Sequence, residues 1–429
     1  FIDWLKYNVI MVEIIAYSDE NAYTIFETMN DRGLNLTPSE MLKGFILSRF
    51  KNSDKRKLSN EQWKKAMIDL KSFERDEEQR FFQSWLRAKY ADSIRSGGVG
   101  SQNEDFEKIG TRFHSWVRDN LKKIGLDEND DQTFENFIQK DFKFYLKYYI
   151  KILNAEKTLT TGLEYVYYIN QWGIAPTLSF PLMLSPLNLC DSEEIVCRKI
   201  NIVARYIETF VVKRSINFKK FSANSIRYTM YLLVKDIRGK DIDELKAIFS
   251  KKLSEMQESF NGMADFRLHG QNYRFVKFLL SRITAWVEQK AGINTNFVSY
   301  FQPESGKPFE VEHIWADKFL DHTDEFKQEH EFKQYRNRIG DLVLLPRGIN
   351  QSYGDLPYEK KHTHYIKENL LVKSLCPLAY EKNPNFINPT NELNLPFRAH
   401  TEFKKKDIDE RQKLYQAICE QIWDHELKN

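Results

Sequence analysis

Cysteine, proline and glycine are all scarce in this 429-residue chain, with 4, 12 and 17 copies, and no apolar run approaches the roughly 18 residues that span a bilayer. Cys190, Cys197, Cys376 and Cys419 form no C-x-x-C pair. That spacing argues against a disulfide scaffold or a structural zinc site and for a reducing, cytoplasmic setting. The shortage of Pro and Gly disfavours a turn-rich sandwich. The opening "FIDWLKYNVIMVEIIAY" lacks the charged start, apolar middle and small-residue cleavage site of a signal peptide. It reads as a strand already under way, with Val9 to Ala16 buried. With no initiator Met, the chain is expected to begin within a domain. A strong charge excess is also missing: the net charge of +3 neither demands nor excludes a nucleic-acid partner.

What is present favours packed helices. Hydrophobic residues make up 41% and charged residues 29%, with 31 Phe and 21 Tyr, so a length suited to two or three domains can bury ample cores. "NAYTIFETMN" places Ala22, Ile25, Phe26 and Met29 at helical spacing. "LTPSEMLKGFIL" opens a further helix, with Thr37 as cap, Pro38 in the first turn and Glu40 completing a capping box. "EQWKKAMIDLKSFE", "EEQRFFQSWLRAKYADSI", "EDFEKIGTRFHSWVRDNLKKI" and "FENFIQKDFKFYLKYYIKIL" carry aromatic-rich stripes that read as core. "RSGGVGSQNED", residues 95–105, is the clearest joint. Three more long helices are expected around 191–212, 240–260 and 271–290, and no fixed-period repeat is visible.

After about residue 295 the character changes, and seven of the nine histidines lie from His313 onward. "PFEVEHIWADKFL" sets Glu310, Glu312 and His313 inside a short apolar strand, where a carboxylate is costly unless paired. "RNRIGDLVLLPRGINQSYG" follows as a strand from Leu342 to Leu345, flanked by Asn337 and Asp341 and ending in a loop that delivers Asn350. "LPYEKKHTHYIKENLL" is then an amphipathic helix started by Pro357 and carrying Lys361. His362 and His364, two apart, have the wrong spacing for a metal pair on one helical face. Phosphodiester hydrolysis needs a base to activate water and positive charge on the phosphate. A His whose ordinary pKa is near 6.5 suits the first task, and Mg²⁺ held by oxygen ligands suits the second. Strand, strand, helix with His on the first strand and Asn entering the helix resembles the ββα-metal (HNH) nuclease site. On that resemblance His313 is the base and Glu312 and Asn350 are metal ligands, with Glu310 in reserve. Asp341 holds the imidazole or braces the connecting loop, and Lys361 contacts phosphate.

The "EHI" strand, "IGDLVLL", the following Asn and the "PYEKK" helix resemble the C-terminal HNH domain of GmrSD-type modification-dependent restriction enzymes. "IFETMNDRGLNLTPSEMLKGFIL" is similar to the segment closing their ParB-like N-terminal domain, and "ETFVVKRSINFKKFSANSIRYTMYLL" to the basic helical segment between the two. The resemblance implies a mostly α chain in three parts. Residues 1–55 are the short remnant of an α/β ParB-like domain, 56–295 a multi-helical DNA-contacting domain, and 296–429 the ββα-metal (HNH) nuclease domain. It also implies a cytoplasmic Mg²⁺-dependent DNA endonuclease of bacterial anti-phage defence, with Mn²⁺ able to substitute and products bearing 5′-phosphate and 3′-hydroxyl ends. The partners implied are phage DNA, modified or not, and a second copy of the chain or the missing nucleotide-binding half; no membrane is expected.

Three features depart from the family pattern. The D-G-Q-Q-R nucleotide motif is absent, Asp341 stands where the family usually has Asn, and Glu312 precedes His313 where Asp is commoner. A strict strand would also point Glu312 and His313 to opposite faces, so joint contact with one phosphate needs the strand to end or bulge there. A non-catalytic DNA-binding or regulatory module on a degenerate HNH scaffold is the alternative, and an RNA-directed nuclease is a third reading. For capture of nucleic acid, the basic 195–240 segment offers Arg198, Lys199, Arg205, Lys213, Arg214, Lys219, Lys220 and Arg227. Arg198, Arg205 and the Lys213/Arg214 pair are spaced for one helical stripe along a phosphate backbone.

Overall fold

The structure, a computed structural model, describes residues 1–10, 36–74, 76–96, 98, 100–303 and 306–425, without the side chains of residues 350, 351 and 425. The "NAYTIFETMN" helix, the 11–16 part of the expected first strand and most of the ParB-like segment lie outside the described residues. The start of the chain differs from expectation: Ile2–Asn8 is a helix with no buried residue. Its apolar residues find no second layer among the described residues, and a lone strand needs a pairing edge.

Downstream, local signals act as read. Thr37 accepts from the Glu40 N–H at 3.3 Å while its own N–H donates to Glu40 Oε2 at 2.8 Å, which starts the helix Pro38–Ser48. Helices Ser53–Lys71, Glu77–Tyr90, Asp105–Asp119 and Lys143–Lys157 follow, the last preceded by a π-helical turn at Phe137–Phe142. The three expected long helices are present as Glu193–Ile216 (α1), Ile242–Ser254 and Tyr273–Lys290. A further helix, Ala223–Asp236, lies between the first two.

The chain divides into two compact units that interleave in sequence. Unit 1 comprises Phe1–Asn154, Ala175–Val196 and Arg227–Lys240. Its core is aromatic: Trp63 stacks on Phe82 and Phe142 at 5.2 and 5.1 Å, and Trp85 on Phe81 and Phe137 at 5.6 and 5.0 Å. Unit 2 comprises Ala155–Ile174, Cys197–Ile226 and Asp241–Asn429. Its helix Tyr273–Lys290 is buried along most of its length, and the buried Arg282 forks onto the fully buried Glu208.

Strand structure with a ladder, among the described residues, is one antiparallel pair in unit 2: Phe309–His313 (β1) and Leu342–Pro346 (β2). The register sets Glu310 opposite Leu345, Glu312 opposite Val343 and His313 opposite Leu342. Partners across a ladder share a face. Val311, Leu342 and Leu344 join the core around the Tyr273–Lys290 helix, while Val343 and Leu345 join a second core with Trp315, Tyr358 and Tyr365. Helices Glu329–Arg336 (α2), Arg347–Tyr353 (α3) and Tyr358–Tyr365 (α4) surround the pair. Asn350 therefore lies on a short helix rather than in the expected loop.

Candidate active site

His313 is the last residue of β1, and the ladder runs through it without a bulge. Its Nε2 lies 3.0 Å from the Asn337 carbonyl oxygen at the end of α2. Nε2 therefore carries the hydrogen and Nδ1 the lone pair of the neutral ring. Burial pushes the imidazole down to about 3, helped by the Arg336 and Lys361 cations and opposed by the Asn337 bond. The ring is neutral at physiological pH.

Glu312 points to the other face. Its carboxylate meets Lys361 Nζ of α4 at 2.6 Å, and the same ammonium donates to the His313 carbonyl at 2.8 Å. Lys361 is fully buried and Glu312 6% exposed. Burial raises the Glu312 pKa while Lys361 pulls against it. Such a pair survives burial only with close geometry and further hydrogen bonds, and both are present. Glu312 as placed does not fit a Mg²⁺ ligand, because its oxygen already holds an ammonium inside the core. Glu310 faces Arg347 at 3.4 Å, and the Asn350 side chain lies outside the described residues.

Asp341 is fully buried and does not bond to His313. It braces the chain just after β1: its carbonyl accepts the Ile314 N–H at 2.8 Å and its Oδ1 the Trp315 N–H at 3.1 Å. Oδ2 has no hydrogen-bond partner among the described residues, and burial raises its pKa well above the usual carboxylate range. Gly340 explains the tight approach at this turn, since a Cβ there would sit 2.1 Å from the Ile408 carbonyl. Arg411 and Tyr415, one turn apart on the Lys405–Glu420 helix, donate to the Gly340 and Leu342 carbonyls at 3.2 and 2.8 Å.

Residues 213–418 match the family described as GmrSD restriction endonucleases, C-terminal domain. These residues belong to the GmrSD restriction endonuclease family. No curated protein matches the chain. A restriction endonuclease domain acts on DNA, so membership implies nuclease activity with DNA as substrate. The matched GmrSD segment contains His313, Asn337, Asp341, Asn350 and Lys361, and it begins at Lys213 near the end of α1.

The basic residues of 195–240 fare differently from one another. Within unit 2, Arg198, Lys219 and Lys220 are exposed, whereas Lys199 is buried. Lys213 is buried with its ammonium 2.8 Å from Asp424, and Arg214 donates to Glu258 at 3.0 Å. Arg205 lies over the Tyr165 ring. The expected stripe is therefore not a row of available cations. In unit 1, Arg227 lies 3.7 Å from Glu107.

Two other features of the GmrSD domain bear on the site. From sequence, Asn337 stands out only as a flanking residue and Arg336 not at all; the signal for both is position, a few residues before Asp341 in "YRNRIGD". A second group, His400, Asp407 and Glu410, has ligand atoms within 4.8 Å of one another. Arg398 already bonds both carboxylates, and Asp407 also accepts from His400 Nδ1 at 2.9 Å and the Lys404 N–H at 2.8 Å. The group acts as a clasp. It holds the 400–403 segment, whose carbonyls accept from Tyr358 OH and Trp315 Nε1 at 2.7 Å each. Among the described residues no helix is long and apolar enough to cross a membrane.

Proposed function

We propose that this chain is the effector portion of an HNH-type DNA endonuclease of bacterial anti-phage defence, acting in the cytoplasm on phage DNA. The observation that carries the reading is the placement of His313 at the end of a two-stranded ladder, its Nε2–H held by Asn337 so that Nδ1 carries the lone pair. In this reading Nδ1 takes a proton from the attacking water. Asn337 holds the tautomer, and Asp341 braces the turn that follows β1. Lys361 ties α4 to β1 through Glu312 and the His313 carbonyl, and its burial supports a positioning role over phosphate contact.

Dependence on a divalent ion, Mg²⁺ with Mn²⁺ able to substitute, is proposed on the family resemblance, with Asn350 as the ligand that resemblance implies. The ββα-metal assignment, the three-part division at 55/56 and 295/296 and the ParB-like remnant rest on the same ground. So do the association with a nucleotide-binding half or a second copy and the 5′-phosphate products. Arg198, Lys219 and Lys220 are the exposed cations proposed to meet DNA.

A second reading, a non-catalytic DNA-binding module, is favoured by one specific observation: the Glu312 carboxylate is closed by Lys361. Plasmid cleavage with and without Mg²⁺ separates the two. Metal-dependent nicking that His313→Ala reduces by about 10²–10⁴-fold, with DNA affinity retained, supports the endonuclease. An unmodified protein that binds plasmid and never nicks it supports the second reading, and His313→Ala nicking at the parental rate rejects His313 as the base.

A further inference from the structure

Phe218, two residues beyond α1, has a φ of +54°, a left-handed conformation that glycine adopts freely and a bulky residue resists. The cap around it is tightly closed, with the Phe218 N–H on the Ser215 carbonyl at 3.1 Å and the Lys219 N–H on the Arg214 carbonyl at 2.8 Å. Glycine is the usual residue in such a cap. Here the position carries a phenyl ring that is 52% exposed, with its covered part against Phe266 and the His269 ring at 5.7 and 5.9 Å. A strained backbone that holds a large apolar ring half in water calls for an explanation beyond packing.

The surroundings are basic and held in place. Lys219 and Lys220 follow directly and are exposed, and the Lys220 carbonyl accepts two bonds from the Arg214 guanidinium, at 2.7 and 3.1 Å. Glu258, an acid facing this turn, is occupied by Arg214 itself. Across from Phe218, the loop after Phe266 exposes Arg267 and His269, with Arg274 exposed in the first turn of the following helix and Asp265 as the neighbouring acid.

That loop is tied to the His313 site. The Ile339 N–H donates to the Phe266 carbonyl at 3.2 Å, and the Leu268 N–H to the Asn337 carbonyl at 2.7 Å. Asn337 in turn holds His313 Nε2 at 3.0 Å. An exposed aromatic face beside the exposed Lys219 and Lys220, packed on a loop whose backbone bonds to Ile339 and to the Asn337 that holds the proposed base, fits a strand of nucleic acid: the ring accepts a base and the lysines accept flanking phosphates.

We propose that Phe218, Lys219 and Lys220 form a lip that grips one DNA strand beside His313, with Phe218 stacking on an unpaired base. The proposal rests on the endonuclease reading and concerns where that enzyme holds its substrate.

Phe218→Gly is the informative variant, because it removes the ring while relieving the backbone. Binding of a short fluorescent single-stranded oligonucleotide would be followed by anisotropy in EDTA over a salt series, using the whole chain. Phe218→Gly should bind about tenfold more weakly at every salt concentration, with an unchanged salt slope and an unchanged or higher melting temperature. Phe218→Tyr should bind like the parent. Lys219→Gln with Lys220→Gln should flatten the slope of log affinity against log salt by about 0.7 per lost contact. Parental affinity in Phe218→Gly, weak binding by Phe218→Tyr, an unmoved slope in the lysine variant, or no measurable binding by the unmodified chain would each overturn the lip. Plasmid nicking by His313→Ala is read separately. A dead His313→Ala with a fully binding Phe218→Gly rejects the lip alone, and an active His313→Ala rejects the nuclease assignment alone.

Discussion

In unit 1 the interior is made of stacked rings, Trp63, Phe81, Phe82, Trp85 and Phe142, while beneath β1 in unit 2 it holds Lys361 on Glu312 and a fully buried Asp341. The rings lose water and gain dispersion contacts without any directional partner, so their contribution follows from size and fit. The ionic group must first give up hydration, and it recovers that cost only through close contacts such as the 2.6 Å Lys361–Glu312 bond. The aromatic interior reads as a device for stability. A buried carboxylate–ammonium pair is weak evidence for stability, and here it adjoins the residue proposed as the base. We attribute its presence to positioning: one ammonium ties α4 to both the Glu312 side chain and the His313 carbonyl.

Breaking each interior tests that contrast. Trp85→Ala should cost about 3–5 kcal/mol of stability by leaving a cavity. Trp85→Phe should cost far less, because Trp85 Nε1 is buried with no hydrogen-bond partner among the described residues and its removal offsets lost volume. Lys361→Ala should also cost about 3–5 kcal/mol, since Glu312 loses its buried partner and must either hold an unpaired charge in the core or take up a proton. The sharper form is the double change Lys361→Met with Glu312→Leu, which should recover most of that stability yet leave plasmid cleavage strongly reduced. Denaturant melts read the stabilities, and a double variant that nicks at the parental rate would remove the positioning role.

A smaller effect separates the two pairs of cations at the end of α1. Lys213→Glu should cost on the order of 2–3 kcal/mol by facing Asp424 with a second carboxylate. Lys219→Glu, at an exposed site, should stay within about 0.5 kcal/mol in the same melts while weakening DNA binding. Equal destabilisation by the two would mean that Lys219 is also engaged in the fold.

Acid probes the clasp. Burial and Arg411 hold His400 down to about 4, with Asp407 pulling the other way, against about 6.5 in an unfolded chain. His400 therefore donates to Asp407 as a neutral ring, and the pair is not an ion pair at neutral pH. Because the unfolded state takes the proton first, this stability is complete above about pH 6.5 and is lost as pH falls from there through about 4. His400→Gln should lose less stability than the parent over that window, by on the order of 1–3 kcal/mol. Parallel pH profiles of the two proteins would show that His400 titrates normally.

Much of this molecule was legible in order along the chain. Helical spacing of Phe, Tyr and Trp marked most of the long helices, though not Ala223–Asp236 or Lys405–Glu420; the Thr37/Glu40 pair marked a helix start, and short apolar runs marked β1 and β2. These signals act over a few residues through backbone hydrogen bonding, capping and side-chain periodicity, so sequence alone determines them. The helix at Ile2–Asn8 and the helical turn carrying Asn350 were missed, as short segments whose apolar residues suit strand, loop or helix alike until tertiary contacts choose. The site divides along the same line. His313 and Asp341 stood out by residue type and neighbours. The burial of Lys361 depends on a partner 49 residues away, and the neutralisation of Lys213 on one near the end of the chain. In sequence Lys213 and Lys219 are the same cation. Only the tertiary structure, by bringing Asp424 to one and water to the other, decides which charge remains for DNA.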